Sequence, residues 1–165
     1  MFPLPLATGA TTTTLVRSLT HHGWLVHRNA SLEARVVHSL LLTVICGLYS
    51  ALLGEAGLQK LIGRQTPAWF IDKFATTWMG RLPAPLLWWG IALAELSTAS
   101  LFVASLVTGE PFAPGEPRLL GFALVAAASV FSGLCFGLRV ASDFVGAVHA
   151  FAYAGVTLVL ATLLT

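Results

Sequence analysis

Charge is what this sequence has least of. Asp, Glu, Lys and Arg make up 10% of its 165 residues, where a soluble domain carries about 25%. So few charges cannot clothe a water-facing surface. The net charge of +2 excludes the strong basic field of a nucleic-acid binder. Cysteine is nearly absent: Cys46 and Cys135 both sit in apolar stretches and no C-x-x-C occurs. That argues against zinc held by cysteine pairs and against a dithiol relay, and the two read as small core thiols. Neither G-x-S-x-G nor G-x-x-x-x-G-K-[ST] is present, which removes the nucleophile elbow and the phosphate loop. Period-2 alternation is missing too, which argues against barrel strands.

What fills the sequence instead is apolar. Hydrophobic residues are 56% of the chain and the mean hydropathy is +0.82. Four runs approach the roughly 20 residues that cross a bilayer: about 36–54, 85–107, 119–138 and 144–164. Backbone groups in lipid must pair internally, so these are expected to be helices. The expected fold is an all-α membrane protein, a four-transmembrane-helix bundle over residues 34–165, preceded by an N-terminal tail, 1–33. The tail has Arg but no acid before Glu33, and its charge and apolar run stand in the wrong order for a secretory signal. It reads as a flexible or partner-bound segment, with an organelle transit peptide as the alternative.

An interfacial amphipathic helix is expected between spans one and two. Thr66-Pro67 is a good start, with Thr as N-cap and Pro at the first position. Trp69, Phe70, Phe74 and Trp78 then fall near one face, and with Trp88 and Trp89 they are expected to anchor in the headgroup belt. Rows of small residues every fourth position suggest close helix contacts: Gly47 and Ala51, Gly133 and Gly137, Gly146 and Ala150.

Ionisable residues inside spans are costly, so each is a site candidate. Spans alternate in direction. Let A be the end where span one begins and B the opposite end. Glu55, Glu95, Arg139, Asp143 and His149 then all fall in the B half, with Lys60 flanking it, while the A half holds only His38 near its rim. One reading is a ligand pocket lined by Glu55, Glu95 and His149, extended by Tyr153, with Arg139, Asp143 and Lys60 at its mouth. The other is a set of structural ion pairs: Arg139 with Asp143 or Glu55, and Glu95 bonded to a Ser or Thr. A haem held by two histidines needs both at one level, which His38 and His149 do not share. His21, His22 and His27 lack metal-site spacing, so no metal is expected, and no residue is assigned a catalytic role.

Residues 52–63, LLGEAGLQKLIG, resemble the end of the first span in DoxX-like membrane proteins, through Ala56, Gly57, Leu58, Lys60 and Leu61. The acid of span two, Glu95 in IALAELSTASLFVASL, is similar to that family's E-x-x-x-x-x-L pattern. The long tail and Glu55 depart from it. The resemblance implies redox-linked work at a membrane, since some relatives are quinone-linked subunits of thiosulfate oxidation. The expected function is a small accessory or anchor subunit of a respiratory or photosynthetic electron-transfer complex, not catalytic by itself. The alternative is a quinone-reactive oxidoreductase subunit using Glu95 and Glu55; a small transporter ranks third, for want of inverted repeats. Bound quinone or lipid is the expected ligand. Membrane lipids and other membrane subunits are the expected partners, in a bacterial inner membrane or an organelle membrane.

Overall fold

The computed structural model describes the backbone of residues 10–164 and the side chains of residues 32–164. Five α-helices follow in order: α1 (Ala10–Gly63), α2 (Ala68–Ala75), α3 (Ala84–Val107), α4 (Arg118–Val140) and α5 (Phe144–Leu164). Short 3-10 turns, Trp78–Arg81 and Glu110–Phe112, precede α3 and α4. No strand occurs among the described residues. The chain divides into two units, Met1–Leu41 and Leu42–Thr165. The described part of the first is the N-terminal stretch of α1, and its Leu32, Val36, Val37, Leu40 and Leu41 are exposed. His21, His22 and His27 lie outside the described side chains.

Four stretches are long and apolar enough to cross a membrane: Leu32–Gly63, Ala84–Val107, Arg118–Val140 and Phe144–Leu164. The last three begin and end within two residues of the expected spans. The first helix differs, because it continues nine residues past Gly54. The polar residues of that extension have partners on or across the helix. Gln59 Nε2 donates to Glu55 Oε1 one turn back, at 3.1 Å, and Lys60 reaches α3. Glu55 and Lys60 are therefore helical residues, not loop residues.

The second unit holds two apolar clusters. The larger gathers Leu42, Cys46, Leu53, Phe102, Leu124 and Phe131 between α1, α3 and α4. Packed against it, the half-buried Tyr49 bonds Thr157 at 2.8 Å. Thr157 already spends its one proton on the Tyr153 carbonyl at 2.6 Å, so Tyr49 is the donor. Along α4 and α5, Ala123, Ala127, Ala147, Ala150 and Ala154 are all buried, and small side chains there let the two backbones approach. The turn joining these helices is tight and places Ser142 at φ 58°.

The smaller cluster lies at end B, where Phe70 and Phe74 of α2 pack on Trp88 of α3. Here the expected helix start is corrected. Pro67, not Thr66, occupies the cap position, with no side-chain capping bond, and α2 is only eight residues long. Thr77 turns extended, which puts Trp78 on the separate 3-10 turn.

Candidate functional site

The site begins with a close approach of α1 and α3. Gly57 is buried, and a Cβ there would meet Leu96 Cγ at 2.6 Å and the Ala92 carbonyl oxygen at 3.2 Å. Only glycine lets the helices come this near. One turn on, Lys60 runs back along α1, since helical side chains lean toward the N-terminus. Its Nζ donates to the Ala56 carbonyl at 3.1 Å and to both Glu95 oxygens, at 2.9 and 2.7 Å. Glu95 is 3% exposed. It stands eleven residues into α3, roughly 16 Å along the axis. The three donors of the ammonium are thus matched by three acceptors, and its charge lies 5.5 Å from the centre of the Trp88 ring.

This pair borders a cavity of about 700 Å³ walled by α2, α3 and α4, with Lys60 contributed by α1. Trp69, Phe70, Phe74 and Trp88 form its aromatic side, and Ile91, Val130 and Leu134 carry the lining toward the bundle. Gly133 and Gly137 of α4 also line it, and a Cβ on either would meet nothing within 4 Å. They open space here and do not bring two helices together. Polar lining comes from Lys60, Glu95, Lys73 and Ser129 alone. Trp88 is 8% exposed, and its indole Nε1 is a buried donor with no partner. The aromatic side is built edge to face: the Trp88 ring meets Trp69 at 5.9 Å and 82°, and Phe70 at 5.0 Å and 67°.

α2 is tied across the cavity by a second ion pair. Lys73 Nζ bonds Asp143 Oδ2. Asp143 is also the N-cap of α5, accepting from Gly146 N–H at 2.9 Å. The Lys73 ammonium and that N–H hold the Asp143 carboxyl below its usual range.

The residues picked out by sequence scatter around this site. Glu95 and Lys60 meet directly. Glu55 is exposed, bonded to Gln59, and does not line the cavity. His149 and Tyr153 lie on the exposed side of α5, where the Tyr153 ring packs 5.5 Å from Phe131. The partner of Asp143 is Lys73 and that of Glu95 is a lysine, not the Arg139 and the hydroxyl that sequence suggested. Arg139 instead lies over the Phe144 ring at 4.7 Å. Of the expected anchors, Trp69, Trp78 and Trp89 are exposed, whereas Phe70, Phe74 and Trp88 are buried inside the cluster. Gly47 has open space beside it and Ala51 is exposed, so neither marks a close contact within the chain. A Cβ on Gly146 would meet the Asp143 carboxylate, and Ala150 is buried.

One polar cluster escaped sequence reasoning. At end A, Glu110 accepts from Leu119 N–H at 2.6 Å, Leu120 N–H at 2.9 Å and the buried Ser105 hydroxyl at 2.7 Å. It caps α4 from eight residues upstream, a spacing that matches no capping motif. Among the described residues, no group of three or more His, Cys, Asp or Glu could hold a metal. Comparison with protein-family models, curated proteins and solved structures finds no match to this chain.

Proposed function

We propose that this chain is a DoxX-like membrane subunit of an electron-transfer complex, and that its end-B cavity receives the head of an isoprenoid quinone. One observation carries the reading: a buried Lys60–Glu95 pair borders an otherwise apolar, aromatic-sided cavity of about 700 Å³. Sites for small amphiphiles are apolar hollows of roughly 300–1,000 Å³ with a few convergent polar groups. The resemblance supports the same point, because its two halves, the Gly57-Leu58-x-Lys60 element and Glu95, are the ones that meet. In this reading α2 lies in the headgroup layer, with Ile71 outward and Trp69, Phe70 and Phe74 on the cavity side.

The residues fit such a ligand. Each Glu95 oxygen accepts one bond from Lys60 and keeps a lone pair for a ligand hydroxyl. A bound quinone supplies a couple of two electrons and two protons. Glu95 takes or returns a proton at its edge, and Lys60 neutralises the carboxylate while it is ionised. Trp69 and Trp88 offer faces for ring contact and, with α2, keep water out.

Glu95→Gln is the test. It keeps the shape and removes the proton site. Quinone-dependent electron transfer in native membranes should fall by about 10²-fold or more, with assembly unchanged on sizing in mild detergent. Loss of assembly with the residual activity per complex intact would assign the pair to a structural role. That second reading has its own support, since all three Lys60 donors are already matched within the chain.

A further inference from the structure

The residues that both line the cavity and are exposed are Trp69, Leu86, Gly90, Ser129 and Gly133. They form its rim, and none of them carries a charge. The Ser129 hydroxyl donates to the Val125 carbonyl of its own helix at 2.9 Å, so its one proton is already spent. The charged lining groups, Lys60, Lys73 and Glu95, are less exposed and are paired within the chain. A cavity filled from water would carry polar groups at its mouth. Here they lie inside, and the mouth is apolar.

Depth along the helices points the same way. α3 has 24 residues, roughly 36 Å of helix against a hydrocarbon core of about 30 Å. Gly90 lies roughly 9 Å from the end-B start of α3, and Gly133 roughly 10 Å from the end-B terminus of α4. Ser129 and Glu95 are both roughly 16 Å deep. This part of the rim is below the headgroup layer, at the level of acyl chains. A Cβ on Gly90 or Gly133 would meet nothing within 4 Å, so the rim is open there for want of side chains. On the headgroup side, Phe70 and Phe74 are buried against Trp88, and Lys73 ties α2 to Asp143.

We propose that the cavity fills sideways from the bilayer, and that the ligand's hydrocarbon tail rests in the gap beside Gly90 and Gly133 while its ring reaches Glu95. The inference rests on the quinone reading and adds a route of entry and the residues that select for a tail. A water-borne solute would have to cross acyl chains to reach this rim, whereas a molecule dissolved in the bilayer is already beside it. Lipid chains are as apolar as the gap, so moving the tail between them gains little from burial. The gap therefore selects by fit, and a side chain at position 133 would occupy the tail's place.

The experiment uses the full chain in phosphatidylcholine nanodiscs. The probe is a benzoquinone whose ten-carbon alkyl tail carries a diazirine at mid-length, and the competitor is the same quinone without the diazirine. On irradiation, the label that competitor removes should fall on residues 86–93 of α3 and 129–136 of α4. Removable label on α2 or on the loop at 64–67 would place the tail on the headgroup side. Removable label on Phe102, Leu124 or Phe131 would place it inside the bundle. Either result would overturn the sideways route and leave the quinone reading standing. No removable label anywhere would overturn both. Gly133→Leu supplies a second arm, with affinity read from saturable quenching of the tryptophan fluorescence. Its affinity for the tailed quinone should be about tenfold weaker, and that for tail-less benzoquinone unchanged within about twofold. An unchanged affinity for both quinones, or an equal loss for both, would overturn the tail's path. Should Gly133→Leu not fold, the labelling of the native chain decides.

Discussion

Glu110 illustrates what one carboxylate does at a helix start. The first backbone N–H groups of α4 lack partners within the helix and sit at the positive end of its dipole. Burial works to raise the Glu110 carboxyl, but the Leu119 N–H, the Ser105 hydroxyl and the Leu120 N–H outweigh it and hold it below its ordinary 4.5. A carboxyl depressed on folding stabilises fully above its unfolded value and loses that contribution as pH falls through the folded value. The thermal midpoint in detergent should therefore drop below about pH 4.5. Glu110→Gln should lower the midpoint at neutral pH by roughly 2–4 °C, for a capping loss of about 1 kcal/mol, and flatten the acid dependence. Equal midpoints for the two proteins across pH 3–7 would remove Glu110 from the fold's support. Residues at this scale differ in how plainly sequence announces them. An acid in the middle of an apolar run stands out, so Glu95 was legible. Trp88 and Trp89 were not separable: neighbours on a helix point about 100° apart, and only the seat of α2 decides which is buried.

Among the elements, the glycines carry the packing, and they do so with opposite consequences. Gly57 sits where α1 and α3 nearly touch. Gly57→Ala must push α1 away or force Leu96 off its rotamer, at about 1–3 kcal/mol, and the strain falls one turn from the Lys60–Glu95 bonds. Gly133 faces open space along α4. Gly133→Ala should be neutral or stabilise by up to roughly 0.5–1 kcal/mol, because alanine restricts the unfolded chain and suits a helix, while its methyl intrudes on the cavity. Thermal unfolding of both variants checks the pair, and a midpoint for Gly57→Ala at or above the native value would refute the close-approach account. Spacing alone could not tell these glycines apart. A small residue every fourth position marks one face of a helix, but whether a neighbour covers that face depends on how the helices cross. The end of α1 was hidden for a related reason: a hydropathy run stops at Glu55, whereas the helix continues with Gln59 bonded to Glu55 one turn back and Lys60 partnered by Glu95 across space.

For the molecule as a whole, composition was enough to give four helices that suit a membrane, and the fold leaves many of their apolar side chains exposed. Leu93, Phe122, Val145, Val148 and Phe151 are each at least 65% exposed. Counted along the whole sequence, the basic residues that flank the spans are close to balanced, with a slight excess at end B, and give an expectation for which end faces the cytoplasm. Within the second unit, Lys60, Arg64, Lys73, Arg81 and Arg139 flank the spans at end B, against Arg118 at end A. Lys60 and Lys73 are paired with acids, but acids contribute little to the positive-inside rule, which counts Lys and Arg near the spans. End B, with α2 and the cavity, is therefore expected on the cytoplasmic side. Single cysteines at two exposed loop positions test this, Gln65→Cys at end B and Ala113→Cys at end A. Cys135→Ser should be present in both, since Cys46 is buried but Cys135 is partly accessible. A membrane-impermeant maleimide applied to intact cells should label Ala113→Cys and spare Gln65→Cys until the cells are opened. The reverse pattern would put the cavity on the outer side, and under the proposed function the proton exchanged at Glu95 would then come from outside the cell.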